Sequence, residues 1–166
     1  QGLDERTVAE NPIDQFRLWM SEAESAGQPE PTAMALATST PESQPSVRMM
    51  LLKGVDESGF NFFTNYDSRK GEEIALNPAG AMVFWWERQR RQVRVEGALE
   101  RLGDAASDAY FQTRMRGGQI GAWASAQSQV IEDREQLERR VREMRARWRG
   151  RRVDRPPFWG GFRLTP

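Results

Sequence analysis

Residues 33–64 read AMALATSTPESQPSVRMMLLKGVDESGFNFFT, and the fold class follows from this stretch. Short apolar segments alternate in it with turn-forming clusters of Pro, Ser, Asp and Gly, which is the pattern of strands joined by tight connections. Segments of the same kind recur later, so the predicted strands cover residues 33–40, 46–53, 60–64, 81–86, 92–101 and 158–164. Strands spaced this closely, mostly without long helices between them, are typical of a meander that closes on itself. The sequence therefore predicts a small antiparallel β-barrel of about six strands.

Helices flank the predicted barrel. Asn11 before Pro12 marks a helix start, because the asparagine side chain caps free amides and proline tolerates the first helical position. Apolar residues then recur at spacings of three and four until Gly27, which predicts a helix over about 12–26. Three more helices are predicted at residues 68–76, 104–113 and 132–149, with Asp104 as the cap of the middle one. The fold class is therefore α+β.

The chain has 166 residues and contains neither cysteine nor histidine. A chain of this length buries about two thirds of its unfolded surface, so we expect a single domain over residues 1–166. The missing residue types exclude disulfides, zinc fingers, iron–sulfur clusters, Ser-His-Asp triads and Cys-His nucleophiles. Composition still allows a carboxylate-only metal site, but we expect no metal.

Hydropathy argues against a membrane span, because no apolar run approaches the ~18 residues that a transmembrane helix requires. The longest runs are residues 49–52 and 82–86. We therefore expect a soluble protein, and a cytoplasmic one by default, since the chain has no cysteine to indicate its redox compartment. The chain begins with Gln1 rather than Met, which leaves open a targeting segment removed from its N-terminus.

Positive charge is concentrated near the C-terminus although the chain as a whole is neutral, with 24 basic and 24 acidic residues. Residues 134–155 contain ten arginines against four acidic residues, a local excess of six positive charges. Such a stretch can bind nucleic acid. Leu137, Val141, Met144 and Trp148, however, recur at helical spacing within it. This pattern favours an amphipathic helix with a solvated basic face, so nucleic-acid binding is the minor alternative.

Two cationic motifs suggest an anion site. The segment RMMLLK at 48–53 alternates, so Arg48, Met50 and Leu52 face one side of the strand and Met49, Leu51 and Lys53 the other. The segment SRK at 68–70 opens a predicted helix, where free backbone amides attract anions. Adjacent cations are unfavourable there unless something negative offsets them, and phosphate is the simplest candidate. Taken alone, each motif also fits charged side chains that extend into solvent.

A third motif combines an aromatic hydroxyl with arginine. Tyr110 and Arg114 are four residues apart, so they are predicted to share a helix face and to bind one anion together. Small residues follow over 117–128, and they allow the backbone to approach a flat ligand closely.

These motifs, in this order, resemble the pyridoxamine 5′-phosphate oxidase family. The matching segments are RMMLLK at 48–53, FTNYDSRK at 63–70, RQV at 91–93, YFQTR at 110–114, QIGAW at 119–123, QS at 127–128 and FWGG at 158–161. The resemblance covers residues 11–164 and implies an FMN-binding split β-barrel. It further implies a homodimer with FMN at the interface, and oxidation of pyridoxine or pyridoxamine 5′-phosphate to pyridoxal 5′-phosphate with O2 reoxidising the flavin.

The resemblance also implies which residues form the site, and it assigns no catalytic side chain. The FMN phosphate would be bound by Arg48, Ser68, Arg69 and Lys70. The flavin would be lined by Met49, Met50, Leu51, Leu52, Lys53, Phe63 and Thr64. Hydrogen bonds from the partner subunit would come from Gln92, Gln127 and Ser128. The substrate phosphate would be held by Lys53, Tyr110, Arg114 and Gly118, the last standing where the family has Ser.

Other readings stay open on the sequence. The family continues beyond Arg163 with a Trp near FMN and an Arg-x-His element over the substrate ring, whereas this chain ends at Pro166. Together with Gly118, this keeps a related split-barrel flavin enzyme with another substrate, such as a phenazine precursor, as the first alternative. A protein that binds FMN or pyridoxal phosphate without turnover is the second.

Overall fold

Seven strands form one antiparallel sheet in the computed structural model, which describes residues 4–166. The strands are β1 Ala33–Ser39, β2 Pro45–Leu51, β3 Gly54–Asp56, β4 Gly59–Asn65, β5 Ala79–Trp86, β6 Arg91–Arg101 and β7 Trp159–Thr165. Their order across the sheet is β2-β1-β5-β6-β7-β4-β3, and the sheet curls into a half-barrel. The predicted α+β split-barrel class is confirmed.

The one strand that the sequence prediction missed is β3. Asp56, Ser58 and Gly59 are turn-forming residues, but Asp56 still pairs with Gly59, so the turn contains only Glu57 and Ser58. Gly59 has φ +140°, and a Cβ there would lie 2.1 Å from the carbonyl oxygen of Leu164. A strand of three residues is too short to show alternation, which is why its pattern was not visible.

Five helices surround the sheet: α1 Pro12–Ser25, α2 Arg69–Leu76, α3 Asp104–Thr113, α4 Arg116–Ala124 and α5 Arg134–Arg147. The predicted start of α1 is confirmed, since the Asn11 side chain accepts a hydrogen bond from the Ile13 amide at 2.8 Å. Ser68 caps α2 in the same way by accepting from the Gly71 amide. Among the described residues, no helix has the length and apolarity needed to span a bilayer.

Three helix predictions need correction. Asp104 is the first residue of α3 and not its cap, a position that Gly103 occupies without any side-chain hydrogen bond. The α5 helix is shorter than predicted, beginning after its cap Asp133. The α4 helix was not predicted at all, because its glycines at 117, 118 and 121 have low helix propensity. Tertiary packing stabilises it instead, since Ile120 is buried against the second core.

Two buried clusters hold these elements together. In the first, Phe16 of α1 packs edge-on against Phe60 and Phe84, with ring centroids 4.9 Å apart in both pairs. The second cluster joins α3, α4 and α5 to the start of β7 around Phe111 and Trp159. Val141 and Met144 of α5 pack on this cluster while the arginines of the helix lie outside, which confirms the predicted amphipathic helix.

Candidate functional site

Arg48 lies on the inner face of the edge strand β2. It is directly opposite Leu36 of β1, which is fully buried, so the guanidinium points to the core side of the sheet. Val47 and Met49 point the other way and are 68% and 66% exposed. The predicted alternation of this strand is therefore confirmed, and it brings a permanent charge to the edge of the core.

Four oxygen acceptors surround the Arg48 guanidinium. It donates to the Leu36 carbonyl at 3.1 Å and to Thr38 Oγ1 at 2.6 Å. It also donates to Ser46 Oγ and, at 3.3 Å, to Glu73 Oε2 on α2. Burial lowers the pKa of Arg48, and the Glu73 carboxylate partly offsets that effect. Arg48 is thus fixed in one orientation between β1, β2 and α2.

Lys70 supplies a second, more deeply buried cation at the first turn of α2. Its ammonium donates to Thr64 Oγ1 at 3.1 Å, Ser68 Oγ at 3.2 Å and Gln127 Oε1 at 2.7 Å. The pKa of Lys70 is lowered to about 8. Burial is the main cause, and the positive charge of Arg48 is the second. Arg48 and Lys70 are linked through α2, because Glu73, which accepts from Arg48, lies three residues after Lys70 on that helix. A shared phosphate site for the two cations stays a prediction.

Glu73 connects two of the cations, Arg48 and Arg69, and sequence reasoning missed it. Its Oε1 accepts from Arg69 Nε at 2.8 Å, one helical turn earlier, and its Oε2 faces Arg48. Burial would raise the pKa of Glu73, but hydrogen bonds from Ser46, Thr38 and Arg69 lower it to about 2. The spacing of four residues from Arg69 was the available signal. We call Arg48, Arg69, Lys70 and Glu73 the cation cluster; it has a net charge of two positive units.

A second group of residues lies on the other side of β4. Phe63 precedes Thr64 and so faces the opposite way, where its ring stacks on Tyr110 at 3.8 Å. The Arg114 guanidinium lies over the Trp159 ring, 4.6 Å from its centroid. The α3 helix ends at Thr113, so Arg114 does not share its face with Tyr110 as predicted; it follows in extended backbone.

Arg114 carries an unused hydrogen-bond donor. Its Nη1 is buried and has no hydrogen-bond partner among residues 4–166, although buried donors are nearly always paired. Burial lowers the pKa of Arg114 and raises that of Tyr110. Both side chains lie beside the Trp159 ring, whose centroid is 6.2 Å from the Tyr110 ring centroid and 4.6 Å from the Arg114 guanidinium. A cavity of about 150 Å³ lies beside Arg114, Trp159 and Gln127. The free donor and the adjacent cavity can therefore accommodate a hydrogen-bond acceptor, and an anion would form the strongest bond with the guanidinium.

Comparison with known proteins identifies the family. The sequence profile described as "Pyridoxamine 5'-phosphate oxidase" matches residues 20–148. A pyridoxine/pyridoxamine 5′-phosphate oxidase of Rubrobacter xylanophilus is 55% identical over 99% of this chain and 76% of its own length. A protein of the same name from Acaryochloris marina is 51% identical over 100% of this chain and 76% of its own. The chain belongs to the pyridoxamine 5′-phosphate oxidase family. This is a family of FMN-dependent oxidoreductases.

Solved structures agree with the fold of this oxidase family. PhzG from Burkholderia lata, in complex with tetrahydrophenazine-1-carboxylic acid, has a TM-score of 0.93 at 29% identity and covers 100% of this chain and 82% of its own. An FMN-binding protein from Nostoc punctiforme has a TM-score of 0.72 at 17% identity, covering 96% of this chain and 83% of its own. The second likeness concerns the fold alone.

The residues expected from the oxidase family divide into four sets in the structure, one of which, Met50 and Leu52, packs in or against the first core cluster and not in an open site. Thr64, Ser68 and Gln127 meet the cation cluster, and Gln127 does so from its own chain, so no partner subunit is needed to bring it there. Gly118 lies beside Arg114, since a Cβ there would be 3.3 Å from Arg114 Nη2. The last set is exposed or sits on the outer face of the sheet: Met49, Leu51, Lys53, Gln92 and Ser128.

Strand pairing explains the separate position of Gln92. It is paired with Trp85 of β5, whose side chain is 54% exposed on the outer face of the sheet. Arg48 lies on the inner face and three strands away, because β1 and β5 stand between β2 and β6. Within one chain, Gln92 and the cation cluster therefore do not form one site.

Proposed function

We propose that this chain binds FMN through its phosphate at the cation cluster and oxidises pyridoxine or pyridoxamine 5′-phosphate to pyridoxal 5′-phosphate, with O2 as the acceptor. The observation that supports this most is that one carboxylate, that of Glu73, binds both Arg48 and Arg69, while Lys70 is buried three residues earlier on the same helix. Membership of the pyridoxamine 5′-phosphate oxidase family supports it independently.

The charge of the cation cluster fits a phosphate monoester. Three cations and one carboxylate leave two positive charges, and a phosphate monoester carries about −1.5 to −2 at neutral pH. The cluster also adjoins the first turn of α2, where free amides and the helix dipole favour an anion. Without a ligand the cations repel one another, as the influence of Arg48 on the pKa of Lys70 indicates. A phosphate would relieve that repulsion.

The group around Arg114 fits a second phosphate, that of the substrate. The unpaired Nη1 of Arg114 would donate to it. The Tyr110 hydroxyl would be a second donor in this proposal, since the Tyr110 ring and the Arg114 guanidinium both lie beside the Trp159 ring. Trp159 holds the guanidinium in a stacked geometry, which fixes the direction of the donor. Phe63 lies on β4 directly before Thr64, so the strand connects the two proposed phosphate sites.

In this proposal the protein orients the reactants and supplies no acid or base of its own. When bound, FMN would supply the hydride acceptor for the C4′ carbon of the substrate, with O2 as the final electron acceptor. Arg114 and Tyr110 hold the substrate by its phosphate, and the stacked Phe63 and Tyr110 rings keep water from one side. Fixing two reactants in contact can contribute about 7–11 kcal/mol to the lowering of a barrier. This accounts for a site without histidine.

A homodimer is part of the proposal. Val47, Met49 and Trp85 form an exposed apolar patch on the outer face of β2 and β5, and such patches usually mark an interface. Gln92 lies at the edge of the same patch, paired with Trp85. A second copy seated on this face would bring Gln92 to the flavin of its partner, which one chain does not achieve.

A phenazine-type substrate is the second candidate. PhzG, whose structure contains tetrahydrophenazine-1-carboxylic acid, matches the whole chain with a TM-score of 0.93. Gly118 supports this candidate too, because it removes a hydroxyl beside Arg114 that would otherwise help to bind a phosphate.

Turnover assays separate these candidates. Purified protein should be yellow with bound flavin, and it should form peroxide with pyridoxamine 5′-phosphate but not with unphosphorylated pyridoxamine. Peroxide formation with tetrahydrophenazine-1-carboxylic acid alone would favour the second candidate. Bound flavin without turnover of any of these compounds would identify a binding protein instead, and protein that does not retain FMN would contradict the proposal as a whole.

A further inference from the structure

We propose that Glu73 is a positioning residue of the flavin phosphate site: its carboxylate holds Arg48 and Arg69, which come from different elements, in the arrangement that receives the phosphate. The inference rests on the proposed function, because it assumes that the cation cluster binds FMN. It adds a residue that neither the sequence motifs nor the family resemblance indicated.

Each carboxylate oxygen of Glu73 serves a different arginine. Oε1 accepts from Arg69 Nε at 2.8 Å, and Oε2 accepts from Arg48 Nη2 at 3.3 Å. Arg48 belongs to the edge strand β2, and Arg69 is the first residue of α2. The carboxylate is therefore the direct link that sets the spacing of these two guanidinium groups.

The carboxylate is itself held from behind. Ser46 Oγ donates to Oε2 at 2.5 Å, and Thr38 Oγ1 donates to the same oxygen. The Glu73 side chain is 5% exposed, whereas those of Arg48 and Arg69 are 20% and 55% exposed. Glu73 thus lies on the inner side of the arginines, and they screen its charge from an anion that arrives from solvent.

Two opposite effects are expected when the charge of Glu73 is removed. The net charge of the cluster rises from two to three, which strengthens long-range attraction of phosphate. The arginines also lose their common acceptor, which weakens a contact that depends on geometry. Because Ser46 and Thr38 anchor the carboxylate and both arginines donate hydrogen bonds to it, we expect the loss of geometry to dominate.

The test is titration of the apoprotein with FMN and with riboflavin, followed by flavin fluorescence, in the parent chain and in Glu73→Gln. Glutamine has the same shape but no charge. FMN affinity should fall by roughly tenfold, while riboflavin affinity should stay unchanged because riboflavin has no phosphate. Glu72→Gln is the matched control: Glu72 is the neighbouring, exposed residue of α2 and should leave both affinities at the parental value.

Three results would overturn the inference: unchanged FMN affinity in Glu73→Gln, tighter FMN binding, or an equal loss for FMN and riboflavin. Tighter FMN binding would show that Glu73 weakens anion binding. An equal loss for FMN and riboflavin would show that Glu73 only supports the fold. If Glu73→Gln does not fold, Ser46→Ala tests the same contact and should selectively weaken FMN by a smaller factor. A parent chain that binds riboflavin as tightly as FMN would instead refute the proposed phosphate site.

Discussion

Two side chains of this protein, Lys70 and Arg114, lie in surroundings that are unfavourable for a cation. Lys70 is buried and, within the part of the chain that the structure describes, has only neutral oxygen acceptors at hydrogen-bond distance. Arg114 is stacked on Trp159 with one donor unused. Both conditions are costly in an empty site and favourable in an occupied one, because a bound anion would supply the missing negative charge. The first two predictions therefore concern these two residues.

Lys70 should make FMN binding dependent on pH. Its pKa in the free protein is lowered from 10.5 to about 8, so it loses its proton above that pH, whereas a bound phosphate favours the protonated form. FMN affinity should therefore be nearly constant between about pH 7 and 8, where the phosphate is already mostly dianionic, and fall by up to about tenfold for each further pH unit. Fluorescence titrations at several pH values measure this. Lys70→Arg keeps its charge throughout, so a decline of the same size in that variant would contradict the assignment.

Arg114→Ala should raise the KM for the phosphorylated substrate. The variant removes a charge-assisted contact worth about 1.5–3 kcal/mol, which corresponds to roughly a ten- to hundredfold change. Steady-state kinetics with pyridoxamine 5′-phosphate measure it, and FMN affinity should remain parental. Arg142→Ala, at an exposed position of α5, is the control and should not alter KM. Parental KM in Arg114→Ala would exclude the proposed substrate phosphate site.

At the scale of elements, local pattern and packing disagree in two places. The α4 helix forms in spite of three glycines, because Ile120 and Gln119 are buried against the second core. The strand β7 tolerates two adjacent glycines because neighbouring side chains fill their positions. The same residue type is therefore dispensable in one element and required in the other.

Substitution of one glycine in each element tests this difference. A Cβ at Gly117 of α4 meets nothing within 4 Å, so Gly117→Ala should stabilise the fold by about 0.5–1 kcal/mol. A Cβ at Gly160 of β7 would lie 2.0 Å from Tyr66 Oη, so Gly160→Ala should destabilise it by about 1–3 kcal/mol. Urea unfolding measures both. Changes of the same sign would show that the glycines act only through backbone freedom.

The whole molecule exposes an apolar surface that its fold does not cover. Val47 and Met49 of β2 and Trp85 of β5 lie on the outer face of the sheet. The small alanine side chains of β1 separate the two strands on this face. The strands remain paired and the inner face remains packed, so this surface is not a defect of the core. Its position beside Gln92 makes it the proposed dimer face.

Met49→Glu should therefore yield a folded monomer that has lost most of its FMN. A buried charge without a partner at an interface is strongly unfavourable, whereas the same charge on an exposed surface is tolerated. Sedimentation velocity and flavin absorbance measure the two effects. Leu76→Glu changes an equally exposed apolar residue at the end of α2 and should remain dimeric. A dimer that persists in Met49→Glu would place the interface elsewhere.

Local rules were enough for much of this protein. Alternation along residues 48–53, the Asn11 and Ser68 caps and the six long strands could be predicted, because each depends on neighbours within one strand or one helical turn. The motif order also led to the family. The predictions failed where the local signal was weak, at β3, which is very short, and at α4, which is rich in glycine.

Contacts between segments that are distant in sequence could be recognised only in the folded structure. Glu73 belongs to the site because β1 and β2 bring Thr38 and Ser46 within hydrogen-bond distance of it on α2. Arg114 packs over the ring of Trp159, which lies 45 residues later in the chain. The strand β7 lies between β6 and β4 and so joins the two parts of the sheet. Such contacts depend on how whole elements pack, and periodicity within a segment contains no information about which surface it will meet.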